Sequence, residues 1–225
     1  MKIVHGIAVA LAVAAAPVAA SAQTVSLHSS NVGITGFSFS VVGNTITINE
    51  NWTLNGIGML EITGLAAGIS YTVVKNITNN TGETWSRFAN ELLDPAGQDN
   101  DALDVLPYPG FVPFGFTTSN DNDGLSFAQG SGIARTSSAF SSLFVDELAH
   151  VRDFLDFFGG SVAGNGGTDV ISFGLRDNRA SPSENQAFLL AQRPNESSVP
   201  TPEPISAALL GMGLLGLGFA RRRRG

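Results

Sequence analysis

GFSFSVVGNTITIN, residues Gly36 to Asn49, reads as a β-hairpin from its side-chain pattern alone. Aromatic or aliphatic residues alternate with Ser38 and Ser40 in its first half, and Ile46 and Ile48 alternate with Thr45 and Thr47 in its second. A period of two puts the apolar set on one face and the hydroxyls on the other, as in a half-buried strand. Gly43-Asn44 lies between the runs as a two-residue turn, since both residue types tolerate the positive φ that tight hairpins need.

The same pattern continues on both sides. Asn51–Thr63 and Ile69–Thr78 supply two or three more strands, punctuated by Gly64, Gly68 and the Asn79-Asn80 and Thr81-Gly82 steps. Thr168–Asp177 alternates well, and Asn185–Pro194 makes a last strand ended by proline. Two stretches leave a choice. In Thr84–Gly97, Trp85, Phe88, Leu92 and Leu93 share a helical face with Thr84 as N-cap, but a strand with an irregular end fits equally. In Ser142–Phe158, a stripe of Leu148, Val151, Leu155 and Phe158 is crowded by Phe154 and Phe157 opposite. That crowding favours a strand over about 153–158, with Gly159-Gly160 as the following turn. Between these stretches, 99–132 is turn-rich. Pro107, Pro109 and Pro113 preclude a central strand there, and Phe111, Phe114 and Phe116 are expected to bury one side of a surface crossover. Short strands at this spacing predict a mainly β chain, with a jelly-roll-like β-sandwich over residues 23–194. No long internal repeat is present, which argues against a solenoid or repeat adhesin.

The two ends carry a different kind of signal. Lys2, the apolar run Ile7–Ala16 and Ala20-Ser21-Ala22 predict a secretory signal over 1–22, cleaved between Ala22 and Gln23. At the other end, VPTPEPISAALLGMGLLGLGFARRRRG follows a 195–201 linker and combines three parts in fixed order. They are Pro202-Glu203-Pro204, an uncharged run from Ile205 to Ala220, and Arg221, Arg222, Arg223 and Arg224. A helix over 205–220 would cover roughly 24 Å, just short of a bilayer core, and the arginines would hold its end in the cytoplasm. The prolines stop a helix from extending upstream.

This tail resembles the PEP-CTERM sorting domain of Gram-negative bacteria, in which motif, span and basic end occur together at the terminus. The resemblance covers 202–225 and implies recognition of Pro202, Glu203 and Pro204 by exosortase, a membrane protease or transpeptidase. It further implies a transient inner-membrane anchor with the body in the periplasm. Release to the cell surface or extracellular matrix would follow, often alongside exopolysaccharide. The same tail is also labelled as the C-terminal domain of ice-binding proteins, a label that describes the anchor and does not imply ice binding.

Composition narrows what the body does. The chain has 12 basic and 19 acidic residues. Without 1–22 and 202–225, 7 basic and 18 acidic residues remain, a balance of -11 that disfavours nucleic acid and anionic membranes. With no cysteine, the fold must rest on its core, and thiol chemistry and thiolate zinc sites are excluded. There is no G-x-S-x-G elbow or phosphate loop, and Glu147-x-x-His150 lacks the second such pair that a di-iron site needs. The chain is therefore expected to have no catalytic residues and no cofactor. Two acidic clusters, Asp99/Asp101/Asp104 and Asp121/Asp123 before Gly124, offer a weak Ca²⁺ alternative. The second cluster departs from a calcium-binding loop, with Ser119 in the first ligand position and Gly130 in the last. Trp52, Trp85, Tyr71 and Tyr108 are candidates for sugar stacking, although strand patterns favour burial of Trp52 and Tyr71. The sequence thus predicts an exported structural or interactive protein. A calcium-dependent carbohydrate-binding or adhesive module is the alternative, and a secreted hydrolase comes behind both.

Overall fold

The hairpin forms as its alternation requires. β2 (Ile34–Val42) and β3 (Thr45–Trp52) pair antiparallel with Val42 opposite Thr45, and Gly43 takes a φ of 58° in the turn. The computed structural model describes residues 22–96, 112–120, 123–147, 152–179 and 186–195. Expectations for 1–21, Asp99, Asp101, Asp104, Tyr108, Phe111, Asp121, His150, the 196–201 linker and the tail lie outside the described residues.

Two sheets face each other across one core, so the expected mainly β sandwich is present. The first sheet runs β1 (Thr24–Leu27), β4 (Gly58–Thr63), β13 (Phe188–Pro194), β6 (Trp85–Pro95), β11 (Phe154–Val162) and β10 (Phe140–Asp146). A short β7 (Phe116–Thr118) also pairs with β6. The second sheet runs β2, β3, β5 (Ser70–Asn79), β12 (Gly167–Asp177) and β8 (Leu125–Ser126), with β9 (Thr136–Ser137) also along β12. β3 and β5 pair parallel, whereas every other pairing is antiparallel. The cause is the path of the chain: it leaves the second sheet after β3, runs back through the first as β4, and returns as β5. Two reversals restore the original direction.

Alternation along β3 and β5 directs one set of side chains into the core. Ile46, Ile48, Glu50 and Trp52 point inward from β3, and Tyr71, Val73, Lys75, Ile77 and Asn79 from β5. The apolar members pack against Leu60, Ile62, Phe88, Leu92, Leu155, Phe157 and Leu190 of the first sheet. A smaller cluster of Met59, Leu93, Leu189 and Ala191 lies on the other face of that sheet, against Ile57, Val112 and Phe116.

One open choice is settled and two local expectations change. Within Thr84–Ala96 the chain forms the strand β6, one of the two readings that its sequence allows. In β6 the inward Phe88 and Leu92 and the outward Ala89, Glu91 and Leu93 are all buried, because both faces of this part of the sheet are covered. Burial on both faces removes the polar alternation that marks a strand, which is why the stripe looked helical. The strand expected over 153–158 forms as β11 but runs on through Gly159-Gly160, so the expected turn there is absent. The glycines serve close approach: Gly159 sits at φ 77°, and a Cβ on Gly160 would lie 1.9 Å from the Ala139 carbonyl oxygen. A register shift between Phe158 and Val162 absorbs the irregularity. Finally, Phe114 is fully exposed rather than buried, while Phe116, the first residue of β7, packs against the Met59 cluster and edge-on to His28.

Trp52 is the most constrained side chain of the core. Its ring meets Trp85 and Phe88 edge-on at 5.4 and 5.6 Å. A Cβ on Gly33 or on Gly58 would lie 2.3 Å from the indole. With aromatic rings beyond it, the indole has no room to retreat. Gly58→Ala is therefore expected to destabilise the fold by about 1–3 kcal/mol through overpacking, read as a lower urea midpoint at unchanged slope. An unchanged midpoint would show that the indole can move.

Candidate functional site

The side chains that β2, β3 and β5 turn away from the core form one uncharged surface. β3 presents Thr45, Thr47, Asn49 and Asn51, and β5 presents Ser70, Thr72, Val74, Asn76 and Thr78. Ser38 and Ser40 of β2 lie opposite Asn49 and Thr47. The parallel register sets Asn49 beside Asn76 and Asn51 beside Thr78, so the carboxamides stack across the strands at about 4.8 Å, the strand spacing. They are joined into a row: Asn76 Nδ2 donates to Asn49 Oδ1 at 2.9 Å, and Asn49 Nδ2 donates to Ser38 Oγ at 3.1 Å. A parallel link runs from Asn80 Nδ2 to Asn51 Oδ1 at 2.6 Å. The row borders a shallow groove of about 330 Å³ lined by Gly36, Phe37, Ser38, Asn49, Glu50, Asn51, Asn76 and Thr78, the side chain of Glu50 being turned into the core. Gly36 opens this groove, having no side chain over Asn51. A second groove of about 300 Å³ lies near the end of β13, between Asn55–Ile57, Glu83, Trp85 and Arg193–Asn195. Neither groove brings two carboxylates together.

The interior holds a polar group that strand counting places but that was not singled out. Lys75 points between the sheets with no exposed surface. Its Nζ donates to Asn90 Oδ1 at 3.2 Å, touches Gln192 Oε1, lies 3.6 Å from Glu50 Oε2 and sits 4.6 Å over the Phe88 ring. Glu50 accepts from Trp52 Nε1 at 3.1 Å and from Gln192 Nε2 at 3.0 Å. Burial lowers the Lys75 pKa to about 8, with Glu50 pulling the other way. Alternation was the available signal, since Lys75 shares the inward phase of Val73 and Ile77 and Glu50 that of Ile48 and Trp52.

Each sequence-derived candidate among the described residues has a structural partner. Trp52, Trp85 and Tyr71 are buried in the core and cannot form a sugar-stacking platform. Glu147 is buried and paired with Arg135 at 2.7 Å instead of standing as half of an E-x-x-H site. Asp123 is turned onto its own loop rather than into solvent: Oδ2 accepts the Asn120 N–H at 2.9 Å and Oδ1 the Leu125 N–H at 2.7 Å. Its neighbour Ser119 donates to Asp153 Oδ2 at 2.6 Å. Among the described residues no group of three His, Asp or Glu stands close enough to hold a metal ion. Asn79 is buried and organises the turn at Thr81–Glu83, while Asn195 ties the end of β13 to Thr84 and Ser86. Gln23, expected to begin the mature chain, donates to the Gly64 carbonyl at 3.2 Å and to Tyr71 Oη at 3.3 Å.

Comparison with protein families matches residues 200–224 to the PEP-CTERM protein-sorting motif. Neither the curated proteins nor the solved structures yield a match. The chain thus carries a PEP-CTERM tail, which marks an exported, membrane-transiting protein processed by exosortase.

Burial of Asp123 raises its pKa from 3.8 to about 7, against the two backbone N–H groups and with the charge of Asp94 adding to the rise. The folded chain therefore keeps a proton there that the unfolded chain releases. The resulting stability is fully present below about pH 3.8 and is lost as pH rises through about 7. Asp123→Asn does not titrate, so its Tm relative to the unsubstituted protein is expected to improve steadily from pH 4 to pH 8. A constant difference across that range would refute the buried-carboxyl account.

Proposed function

We propose that this is a non-catalytic structural or interactive protein of the cell surface or extracellular polysaccharide matrix, delivered there by its PEP-CTERM tail. The family match at 200–224 carries the reading. In it, Pro202-Glu203-Pro204 is the exosortase recognition sequence, 205–220 is a transient inner-membrane span, and Arg221–Arg224 hold its end in the cytoplasm. The body waits in the periplasm and is then released. No cofactor is needed for this role.

The uncharged face formed by β2, β3 and β5, bordered by Arg176 of β12 where it donates to Ser70 Oγ, supports polysaccharide as the partner. A body with a balance of -11 repels acidic surfaces in general, but β2, β3 and β5 present only hydroxyls, carboxamides and two valines outward. Carboxamides and hydroxyls both donate and accept, which matches the hydroxyls of a sugar chain. Their spacing along and across the strands is set by the sheet, so little ordering is needed on contact.

Two measurements test the two halves of this reading. Replacing Pro202-Glu203-Pro204 with alanines should leave the protein unprocessed and in the membrane fraction; normal release would remove exosortase from the account. Asn49→Ala with Asn76→Ala should weaken retention on the host's extracellular polysaccharide about tenfold, equivalent to roughly 1.4 kcal/mol. Unaltered retention would remove this face as the contact surface.

A further inference from the structure

A lysine with no exposed surface is costly unless something is done with its charge. Around Lys75 the arrangement is that of a condensation reaction. Nζ touches Oε1 of the Gln192 carboxamide, which places the amine directly at that group. Glu50 spans both ends of the pair: Oε2 lies 3.6 Å from Lys75 Nζ, and Oε1 accepts from Gln192 Nε2 at 3.0 Å. One carboxylate therefore reaches the amine that would attack and the nitrogen that would leave. Trp52 Nε1 fixes that carboxylate by donating to Oε2 at 3.1 Å. The surrounding rings of Trp52 and Phe88 are themselves buried, which removes competing water.

We propose that Lys75 and Gln192 become joined by an intramolecular amide bond, formed by the folded protein itself with loss of ammonia. The Lys75 ammonium gives a proton to Glu50, and the neutral amine attacks Cδ of Gln192. Glu50 passes that proton to Nε2, takes a second from the attacking nitrogen as the carbon–nitrogen bond to Nε2 breaks, and hands it to the released ammonia. In balance, an ammonium and a carboxamide give a secondary amide and an ammonium ion. Glu50 ends unchanged, and no oxidant or further reactant enters. The lowering of the Lys75 pKa by burial assists the first transfer.

Asn90 is the competing carboxamide, and its Oδ1 accepts from Nζ at 3.2 Å. Only Gln192, however, has its nitrogen on Glu50, so only Gln192 has a proton source for its leaving group. We therefore assign Asn90 to holding the amine in place. The bond would tie β5 to β13 across the core, 117 residues apart in the chain, in a protein without cysteine. β13 is the strand that leads into the linker and tail, so a pull from the C-terminal end enters the fold there. A cross-sheet bond at Gln192 would carry that pull to the opposite sheet instead of peeling β13 away. The inference does not depend on the polysaccharide reading.

The test is mass spectrometry of the purified chain after tryptic digestion. The expected product is a branched peptide joining the segment that contains Lys75 to the one that begins at Ala180 and contains Gln192, lighter than their sum by one ammonia. Cleavage after Lys75 should be lost, and the chain boiled in detergent should run faster on a gel than Lys75→Met. Glu50→Gln, shown to be folded by circular dichroism, should yield only the two linear peptides. Recovery of a linear peptide ending at Lys75 from the folded unsubstituted protein would overturn the proposal, even if both variants fail to fold. A branch to the peptide that carries Asn90 would overturn Gln192 as the acyl donor.

Discussion

The indole N–H of Trp52 donating to Glu50 is the contact on which the two halves of this core depend. On one side of it, Trp52, Trp85 and Phe88 form an aromatic cluster with ring centroids 5.4–5.6 Å apart. On the other, Glu50 gathers Lys75 and Gln192 into a polar centre. An aromatic core alone would tolerate sliding of one sheet over the other, since apolar contact has no direction. A carboxylate that must meet an indole, an ammonium and a carboxamide allows only one relative placement of β3, β5 and β13. Gly33 and Gly58 complete the constraint by letting the backbone approach both sides of the indole.

The two sheets use their outer faces differently. Outward residues of β4, β6 and β13 in the first sheet are largely covered, with Met59, Leu93, Leu189 and Ala191 in a second apolar cluster and Glu91 buried against Arg152 and Arg193, whereas Phe144 of β10 and Phe158 of β11 stay exposed. Outward residues of β2, β3 and β5 are small and uncharged, and polar apart from Val42 and Val74. This asymmetry gives the molecule one side committed to its own folding and one side left for contact. It also explains how a body with so many carboxylates presents a neutral face. Asp169 is spent on capping the turn at Ser137–Ala139, Asp177 on Arg179, and Glu147 on Arg135.

Much of the fold was legible in the sequence, for identifiable reasons. The Gly36–Asn49 hairpin, β5 and β12 each have one polar face, so period-two alternation survives in the residue types. β6 and β11 do not. Where they are covered on both faces, along β6 and over Phe154–Phe157 of β11, they lose the alternation, and the Trp85–Leu93 stripe mimicked a helix. Gly159-Gly160 looked like a turn because glycine marks close approach as readily as it marks reversal, and only the Ala139 carbonyl distinguishes the two. Among the site residues, the aromatic candidates failed for a similar reason: Trp52 and Trp85 are as suited to a core as to a sugar, and neighbours decide which.

What the sequence determined by itself was therefore local or terminal: hairpin registers, the mainly β class, the sorting motif at Pro202–Pro204 and the acidic balance. Each depends on residues adjacent in the chain or on a simple sum. What tertiary structure decided was every relationship between residues far apart. Lys75, Asn90 and Gln192 are brought together across two sheets, and Asn49 and Asn76 are aligned by a parallel pairing that exists only because β4 crosses to the opposite sheet. Strand alternation says which way a side chain points. Only the packing of one sheet on another says what it meets, because that distance has no counterpart along the chain.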